Sequence, residues 1–175
     1  SSPVVSTFPA DPEPAPHEQA PHVSIVLPCF NEEEHVLLEV ERICTAMDKS
    51  GLSYELLAID DGSTDQTLAR LRRAEPDFPS LKVIPFRRNG GAGTVRRIGT
   101  QQARGDIVVW TDADLTYPNE RIPELAAILD EDPTIDQVVG ARTSEEGTLK
   151  IARGKPRTVV ADRDQMVQIV FNLCH

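Results

Sequence analysis

The sequence predicts an α/β fold built on an open, mainly parallel sheet that is flanked by helices. Short apolar runs recur about every 30 residues, which is the length of a βαβ unit. The runs are nearly continuous rather than alternating, as expected for strands that are covered on both faces. They span residues 23–27, 54–59, 82–86, 106–111 and 136–141.

Stretches with helical spacing separate these runs. The first is predicted to begin after Asn31 as N-cap, with acidic residues 32–34 in its first turn, and to end at Gly51. Its apolar residues recur at steps of three and four: Val36, Leu37, Val40, Ile43, Cys44 and Met47. Three further helices are predicted from Ser63 or Thr64, over residues 93–103, and from Pro118 to about Leu129.

Composition excludes several classes of protein. The chain has 175 residues, 18 Lys+Arg, 28 Asp+Glu and a net charge of −10, so we expect no general affinity for nucleic acid. The three cysteines lie far apart without a CxxC pair, which favours a reducing compartment. No apolar window is long enough to span a membrane and no signal peptide is evident, which predicts a cytoplasmic protein and leaves peripheral contact with the membrane's cytoplasmic face open.

The chain divides into three parts by composition. Residues 1–22 contain six prolines and are predicted to form a disordered leader. Residues 23–142 carry the repeating strand and helix pattern of the main domain. Residues 143–175 are expected to be an atypical or truncated C-terminal segment on the acceptor side or at an interface, in which residues 162–173 form one apolar helix.

Unusual residues follow each predicted strand. Ligands bind outside the carboxyl ends of the strands of an open parallel sheet, so these segments predict one site. Asp112 and Asp114 flank a small residue and can present two carboxylates to one hard cation. The glycine-rich stretch 89–94 allows a phosphate to approach a helix N-terminus, with Arg88, Arg96 and Arg97 nearby.

Four segments together resemble a known family. VSIVLPCFNEEE, ELLAIDDGSTDQT, RRNGGAGTVRRIG and DIVVWTDADLTYP are similar to motifs of the GT-A glycosyltransferases in the large inverting family that includes dolichyl-phosphate and polyprenyl-phosphate sugar transferases. The resemblance covers residues 23–142. It implies a UDP- or GDP-sugar donor, a divalent cation, Mg²⁺ or Mn²⁺, and inversion at the anomeric carbon.

The residue patterns and the resemblance together name the site residues. Asp112 and Asp114 are predicted as metal-binding and catalytic residues, and Asp114 is the strongest candidate for a direct metal ligand. The chain departs from many relatives at Ala92, where they carry Lys, and at Thr116, where several carry Gln or Ser. Residues predicted to bind the donor nucleotide are Pro28, Phe30, Glu32, Ile59, Asp60, Asp61, Gly91, Gly93, Asp112, Ala113 and Arg142.

The function that this pattern favours is metal-dependent transfer of a sugar to a polyprenyl phosphate. Such an acceptor is already anionic and needs no strong general base. Two alternatives stay open: a nucleotide-sugar-binding module without turnover, or half of a split enzyme; and a sugar-to-sugar transferase with a glycan acceptor. A homo-oligomer also stays open. An NAD-dependent dehydrogenase is disfavoured, because residues 28–32 stand where it requires GxGxxG.

Overall fold

The computed structural model describes residues 19–115, 118–132, 137–141 and 167–172. Within them, strands and helices alternate along the chain as far as the fifth strand. Short 3₁₀ turns lie at Glu75–Asp77 and Asn119–Arg121. The elements are β1 (Val23–Cys29), α1 (Val36–Ser50), β2 (Tyr54–Asp60), α2 (Thr67–Ala74), β3 (Leu81–Pro85), α3 (Ala92–Gln102), β4 (Ile107–Trp110), α4 (Ile122–Glu131), β5 (Gln137–Ala141) and β6 (Val167–Asn172).

These strands form one sheet in the order β3-β2-β1-β4-β6-β5. The β3-β2-β1-β4 part is parallel throughout, while β6 runs antiparallel to both of its neighbours. The chain therefore moves outward from β1 to β3 and then returns to the other side of β1. The predicted open, mainly parallel α/β sheet is confirmed, and the strand order reverses between β1 and β4, where such sheets bind ligands.

The prediction of one helix over residues 162–173 is wrong for residues 167–172, which form β6. This strand has hydrogen-bonded neighbours on both edges, β4 and β5. The segment VQIVFN is rich in β-branched and aromatic residues, which favour strands. Its apolar positions exceed one helical face because the segment is an internal strand. The other residues of the C-terminal segment and the predicted leader up to residue 18 lie outside the described residues.

Three helices begin later than the sequence pattern predicts. Helix α1 starts at Val36, because Asn31 has φ 51° and its side chain accepts a hydrogen bond from the Thr64 backbone N–H at 2.9 Å instead of capping. Helix α2 likewise starts at Thr67, beyond the loop that Asn31 engages. The end of α1 at Gly51, with φ 73°, and the extent of α3 agree with the prediction. Helix α4, predicted from Pro118, starts only at Ile122, because a 3₁₀ turn occupies Asn119–Arg121.

Both faces of the sheet are covered. One face packs against α1, α2 and α4, whose buried residues join those of the strands in the larger core cluster. The other face packs against α3, which approaches β1 so closely that a Cβ on Gly99 would lie 2.4 Å from Val26 Cγ1. This close packing places the amino end of α3 beside the carboxyl ends of β1 and β4.

At the opposite end of the sheet, His22 connects β1 to two other elements. Its Nδ1 lies 3.3 Å from Asp106 Oδ2, just before β4, and its Nε2 lies 2.9 Å from Asp130 Oδ1 in α4. The hydrogen bond to Asp130 raises the pKa of His22 above 6.5, burial opposes this, and the hydrogen bond to Asp106 adds to the rise. The protonated imidazole therefore stabilises this end of the fold.

We expect this contribution to disappear in alkaline solution. Because the folded-state pKa of His22 is raised, its stabilisation is fully present below the unfolded pKa of 6.5 and is lost as the pH rises through the folded pKa. The free energy of unfolding should fall by about 0.5 to 1 kcal/mol for this partly exposed group. Urea unfolding of the native chain and of His22→Gln across this pH range checks it; identical pH dependence in both proteins would contradict the assignment.

Candidate functional site

Loops from three parallel strands and the start of α3 enclose one pocket at the carboxyl ends of the strands. Its volume is about 200 Å³. The lining residues are Pro28, Phe30, Glu32, Asp61, Ala92, Asp112, Ala113 and Asp114. All of them except Ala92 belong to the set predicted from the sequence to bind donor or metal. A larger groove, about 710 Å³, runs between α1 and α4, and none of the described residues that line it is a predicted site residue.

The pocket is strongly acidic, since Glu32, Asp61, Asp112 and Asp114 all line it. Of the three arginines predicted near a phosphate, Arg96 reaches the edge of this site: its Nη2 lies 3.4 Å from Asp112 Oδ1. The guanidinium lies 5.8 Å from the centre of the Trp110 ring, while its buried Nε has no hydrogen-bond partner among the residues that the structure describes. Four carboxylates near one guanidinium would repel a diphosphate unless a cation neutralised them.

Asp61 holds the glycine-rich loop against the end of β2. It is only 3% exposed, and its two oxygens accept hydrogen bonds from the backbone N–H groups of Gly90 and Gly91 at 2.7 and 2.9 Å. Its own N–H donates to the carbonyl of Cys29 at 2.8 Å. One residue thus links the end of β1 to the loops after β2 and β3, which explains how segments far apart in sequence form one pocket.

Gly62 directly follows Asp61, and both its backbone conformation and the lack of space for a side chain require glycine there. Its φ is 73°, and a Cβ there would lie 2.8 Å from the Asn89 backbone N and 2.9 Å from the Arg88 carbonyl carbon. Neither backbone atom can move without displacing the loop after β3. The chain has a matched comparison in Gly51, whose φ is also 73° but which has nothing within 4 Å of the added Cβ.

We therefore expect Gly62→Ala and Gly51→Ala to differ in stability although they impose the same backbone strain. Gly51→Ala should lower the free energy of unfolding by about 1 kcal/mol, the cost of a left-handed alanine. Gly62→Ala adds the clash and should cost about 3 kcal/mol. Chemical denaturation of both variants measures the difference. Equal losses of unfolding free energy would show that Gly62 does not contact the loop after β3 as described.

A buried polar network that the sequence analysis missed supports the turn bearing Asp112 and Asp114. Glu39 of α1 is fully buried; its Oε2 accepts a hydrogen bond from the Leu115 N–H at 3.0 Å, and its Oε1 accepts one from Asn119 Nδ2. Asn119 Oδ1 in turn accepts a hydrogen bond from the Thr111 hydroxyl. Burial raises the pKa of Glu39, and the charge of Asp114 adds to the rise.

The sequence did contain a signal for Glu39. It lies three residues after Val36 and directly before Val40, so it falls on the apolar stripe of α1, where a carboxylate is rarely buried without partners. An acidic residue in such a stripe indicates a buried polar contact with another element. The local sequence pattern does not reveal the partner of Glu39, because that contact arises from the packing of α1 against the turn after β4.

Several predicted residues lie outside the pocket lining. Ile59 is fully buried in the core beneath α3. Asp60 is 1% exposed; its Oδ2 accepts the Ser63 N–H at 3.2 Å, and its Oδ1 has no partner in the described ranges. Gly91 precedes α3 with φ 83°, and Gly93 lies in the first turn of α3 with open space around it. Arg142 lies outside the described residues.

The donor set at the pocket fits a divalent cation that shares its ligands with a substrate. Among the described residues, no three His, Cys, Asp or Glu side chains are grouped so as to hold an ion by themselves. Asp112 and Asp114 nevertheless line one pocket on either side of Ala113. Mg²⁺ is typically held by one or two carboxylates together with substrate phosphates and water, which is the number of carboxylates that this turn supplies.

An open α/β sheet with this acidic turn at the strand ends is the architecture of GT-A glycosyltransferases, and comparison with known proteins agrees. The model of glycosyl transferase family 2 matches residues 24–172. The chain belongs to this family.

Curated relatives are named as transferases that act with undecaprenyl phosphate. The chain is 41% identical over 106 residues to undecaprenyl-phosphate 4-deoxy-4-formamido-L-arabinose transferase of Pectobacterium atrosepticum, covering 59% of this chain and 32% of the relative. It is 40% identical over 111 residues to the Shewanella sediminis protein of the same name, covering 62% and 33%. The chain thus spans about a third of the length of the curated relatives it matches.

Solved structures share the fold. A mannosyltransferase of Pyrobaculum calidifontis in complex with GDP-Man and Mn²⁺ superposes with a TM-score of 0.58 and 27% identity, covering 75% of this chain and 38% of that one. Glucosyl-3-phosphoglycerate synthase of Mycobacterium tuberculosis in complex with UDP superposes with a TM-score of 0.53 and 27% identity, covering 67% and 43%. Both similarities support the GT-A fold described above.

Proposed function

We propose that this chain carries the donor site of a metal-dependent inverting glycosyltransferase, which moves a sugar from a UDP- or GDP-sugar to a polyprenyl phosphate. The observation that carries the proposal is the meeting of Phe30, Asp61, Asp112 and Asp114 in one pocket at the strand-order reversal. The names of the curated relatives support the acceptor, and the nucleotide ligands of the structural neighbours support the donor.

In this proposal the donor lies along the pocket from the end of β1 to the end of β4. Phe30, 45% exposed at the rim, packs against the nucleotide base, and Glu32 and Asp61 accept hydrogen bonds from base and ribose. Asp112 and Asp114 hold the cation. Ala113 places the backbone of the same turn beside the diphosphate, and Arg142 is assigned a phosphate contact.

The residues of the chain then act by position and charge. The acceptor phosphate oxygen attacks the anomeric carbon as the bond to the diphosphate breaks on the opposite face, so one displacement inverts the configuration. The bound cation supplies neutralisation of the charge that grows on the departing diphosphate. The Arg96 guanidinium, 3.4 Å from Asp112, adds a fixed positive charge at the same edge.

An acceptor with a polyprenyl chain would bring this domain to a membrane surface. In the described parts of the chain, none of the helices combines the length and the apolar character that crossing a bilayer requires. Because the acceptor's polyprenyl chain lies in the bilayer, we propose that this domain makes peripheral contact with the cytoplasmic face of the membrane during transfer. A glycan acceptor is the competing outcome, and product analysis with either acceptor separates the two.

Calorimetric titration of the 175-residue chain with UDP and with GDP tests the donor site. We expect binding of one nucleotide in the presence of Mn²⁺ and loss of most affinity in EDTA, because the acidic pocket then repels the diphosphate. Equal affinity with and without Mn²⁺, or no binding of either nucleotide, would refute the proposal. Binding without sugar transfer to a short-chain polyprenyl phosphate would instead favour a binding module.

A further inference from the structure

We infer that Glu39 is a positioning residue, which with Asn119 fixes the turn at residues 111–115 so that Asp112 and Asp114 face one cation. The inference rests on the proposed function, since it assigns a role to the support of the proposed metal site. Glu39 lies on α1, and the turn follows β4. Their contact therefore joins two elements separated by more than 70 positions in the chain.

The network encloses the turn from both ends. Before the two aspartates, Asn119 accepts a hydrogen bond from the Thr111 hydroxyl, and its Nδ2 lies 3.5 Å from the Asp112 carbonyl. After them, Glu39 accepts the Leu115 N–H at 3.0 Å. The hydrogen bond between Asn119 and Glu39 closes the ring of contacts. Asp112 and Asp114 lie between these two fixed points.

Leu115 shows why such support is needed. Its φ is 63°, in the left-handed region that costs a residue with a side chain about 1 to 2 kcal/mol. A residue holds this conformation only where its surroundings determine it. The carboxylate of Glu39 supplies that determination through the Leu115 N–H, and the preceding residue is Asp114. Loss of the carboxylate would allow the turn to relax and the two aspartates to separate.

The burial of Glu39 also argues for a specific role. Its side chain is fully buried, and its nearest cation, Arg42 Nη1, lies 3.5 Å away while another nitrogen of Arg42 pairs with Glu120. Burying a carboxylate is costly unless strong hydrogen bonds compensate. An apolar residue on this stripe of α1 would pack against the core at lower cost, but it would leave the Leu115 N–H without a partner.

Two variants test the inference. One is the single variant Glu39→Gln; the other is the double variant Glu39→Gln/Asn119→Asp, which exchanges the acid and the amide. In the single variant, the introduced amide presents N–H groups to donors, either on Asn119 or on Leu115. In the double variant, the glutamine carbonyl accepts the Leu115 N–H, its amide donates to the new aspartate, and the total charge of the pair is unchanged. Glu41→Gln is the matched control, because Glu41 is an exposed residue of the same helix.

Two measurements separate positioning from general support of the fold. Without ligand, amide hydrogen exchange at Leu115 should speed up in Glu39→Gln and slow again in the double variant. In titrations with UDP and GDP, Glu39→Gln should weaken Mn²⁺-dependent binding by about 10- to 100-fold, as for partners that orient metal ligands. Binding in EDTA should stay unchanged, and Glu41→Gln should behave as the native chain in both measurements.

The outcomes distinguish the inference from the function on which it rests. Native affinity in a folded Glu39→Gln, equal weakening with and without Mn²⁺, or no recovery in the double variant would overturn the positioning role alone. If the native chain itself lacks Mn²⁺-dependent nucleotide binding, the proposed function fails and the inference fails with it. If Glu39→Gln does not fold, Asn119→Ala is the test variant. It keeps the Glu39 carboxylate but removes the hydrogen bonds of Asn119 to Glu39 and Thr111, and Mn²⁺-dependent binding should weaken by the same factor of about 10 to 100.

Discussion

Asp114→Asn is expected to weaken the binding of UDP or GDP in the presence of Mn²⁺ by about 100-fold, or about 2.7 kcal/mol. The change keeps the size of the side chain but removes one of the two carboxylates that this turn offers to a cation. A neutral amide oxygen is a weaker ligand for a hard cation, and it leaves more of the diphosphate charge uncompensated. Calorimetric titration with and without EDTA measures the metal-dependent part directly.

Asp77→Asn is the matched control. Asp77 is exposed and precedes the amino end of β3, at the opposite end of the sheet from the pocket. Asp112→Asn gives a second signature. Asp112 lies 3.4 Å from Arg96, so the change should weaken metal-dependent binding yet strengthen binding in EDTA by allowing the guanidinium to face the phosphate. Native Mn²⁺ dependence in Asp114→Asn would remove this residue from the metal site.

The sequence predicted the pocket because its residues follow a rule of position. In a parallel sheet the carboxyl ends of neighbouring strands share one edge, so Phe30, Asp61 and Asp114 had to meet once the strands were recognised. The rule places whole loops rather than single side chains. Ile59 was assigned to the donor site from the family resemblance instead, and the structure buries it in β2 beneath α3, while Asp114 lines the pocket.

What the sequence did not predict depends on contacts between distant segments. Strand β6 has an apolar pattern that fits a helix as well as an internal strand, and only its pairing with β4 and β5 decides between them. The late start of α1 has a similar cause. Asn31 is a good N-cap in isolation, but in the fold its side chain binds the loop at Thr64, 2.9 Å away. At this position a tertiary hydrogen bond outweighs the local preference of Asn for a helix N-cap.

The adjacent aspartates at the end of β2 should differ in how much stability the same substitution costs. Asp61→Asn places an amide N–H group against the backbone N–H of Gly90 or Gly91, at a site that is 3% exposed. A buried donor then faces a donor, and one hydrogen bond to a charged acceptor is lost. The free energy of unfolding should fall by about 2 to 3 kcal/mol, and the affinity for the Mn²⁺–nucleotide complex should fall with it as the glycine-rich loop moves.

Asp60→Asn is the matched control for stability. Asp60 is buried to the same degree, but within the described part of the chain its Oδ1 has no hydrogen-bond partner, while Oδ2 accepts the Ser63 N–H. The asparagine carbonyl can keep that bond while its amide replaces the unpartnered oxygen, and the substitution also removes a buried charge. We expect the free energy of unfolding to change by less than about 1 kcal/mol. Urea denaturation of the two variants tests the difference, because equal losses would mean that burial of the carboxylate, rather than its grip on the glycine-rich loop, sets the cost.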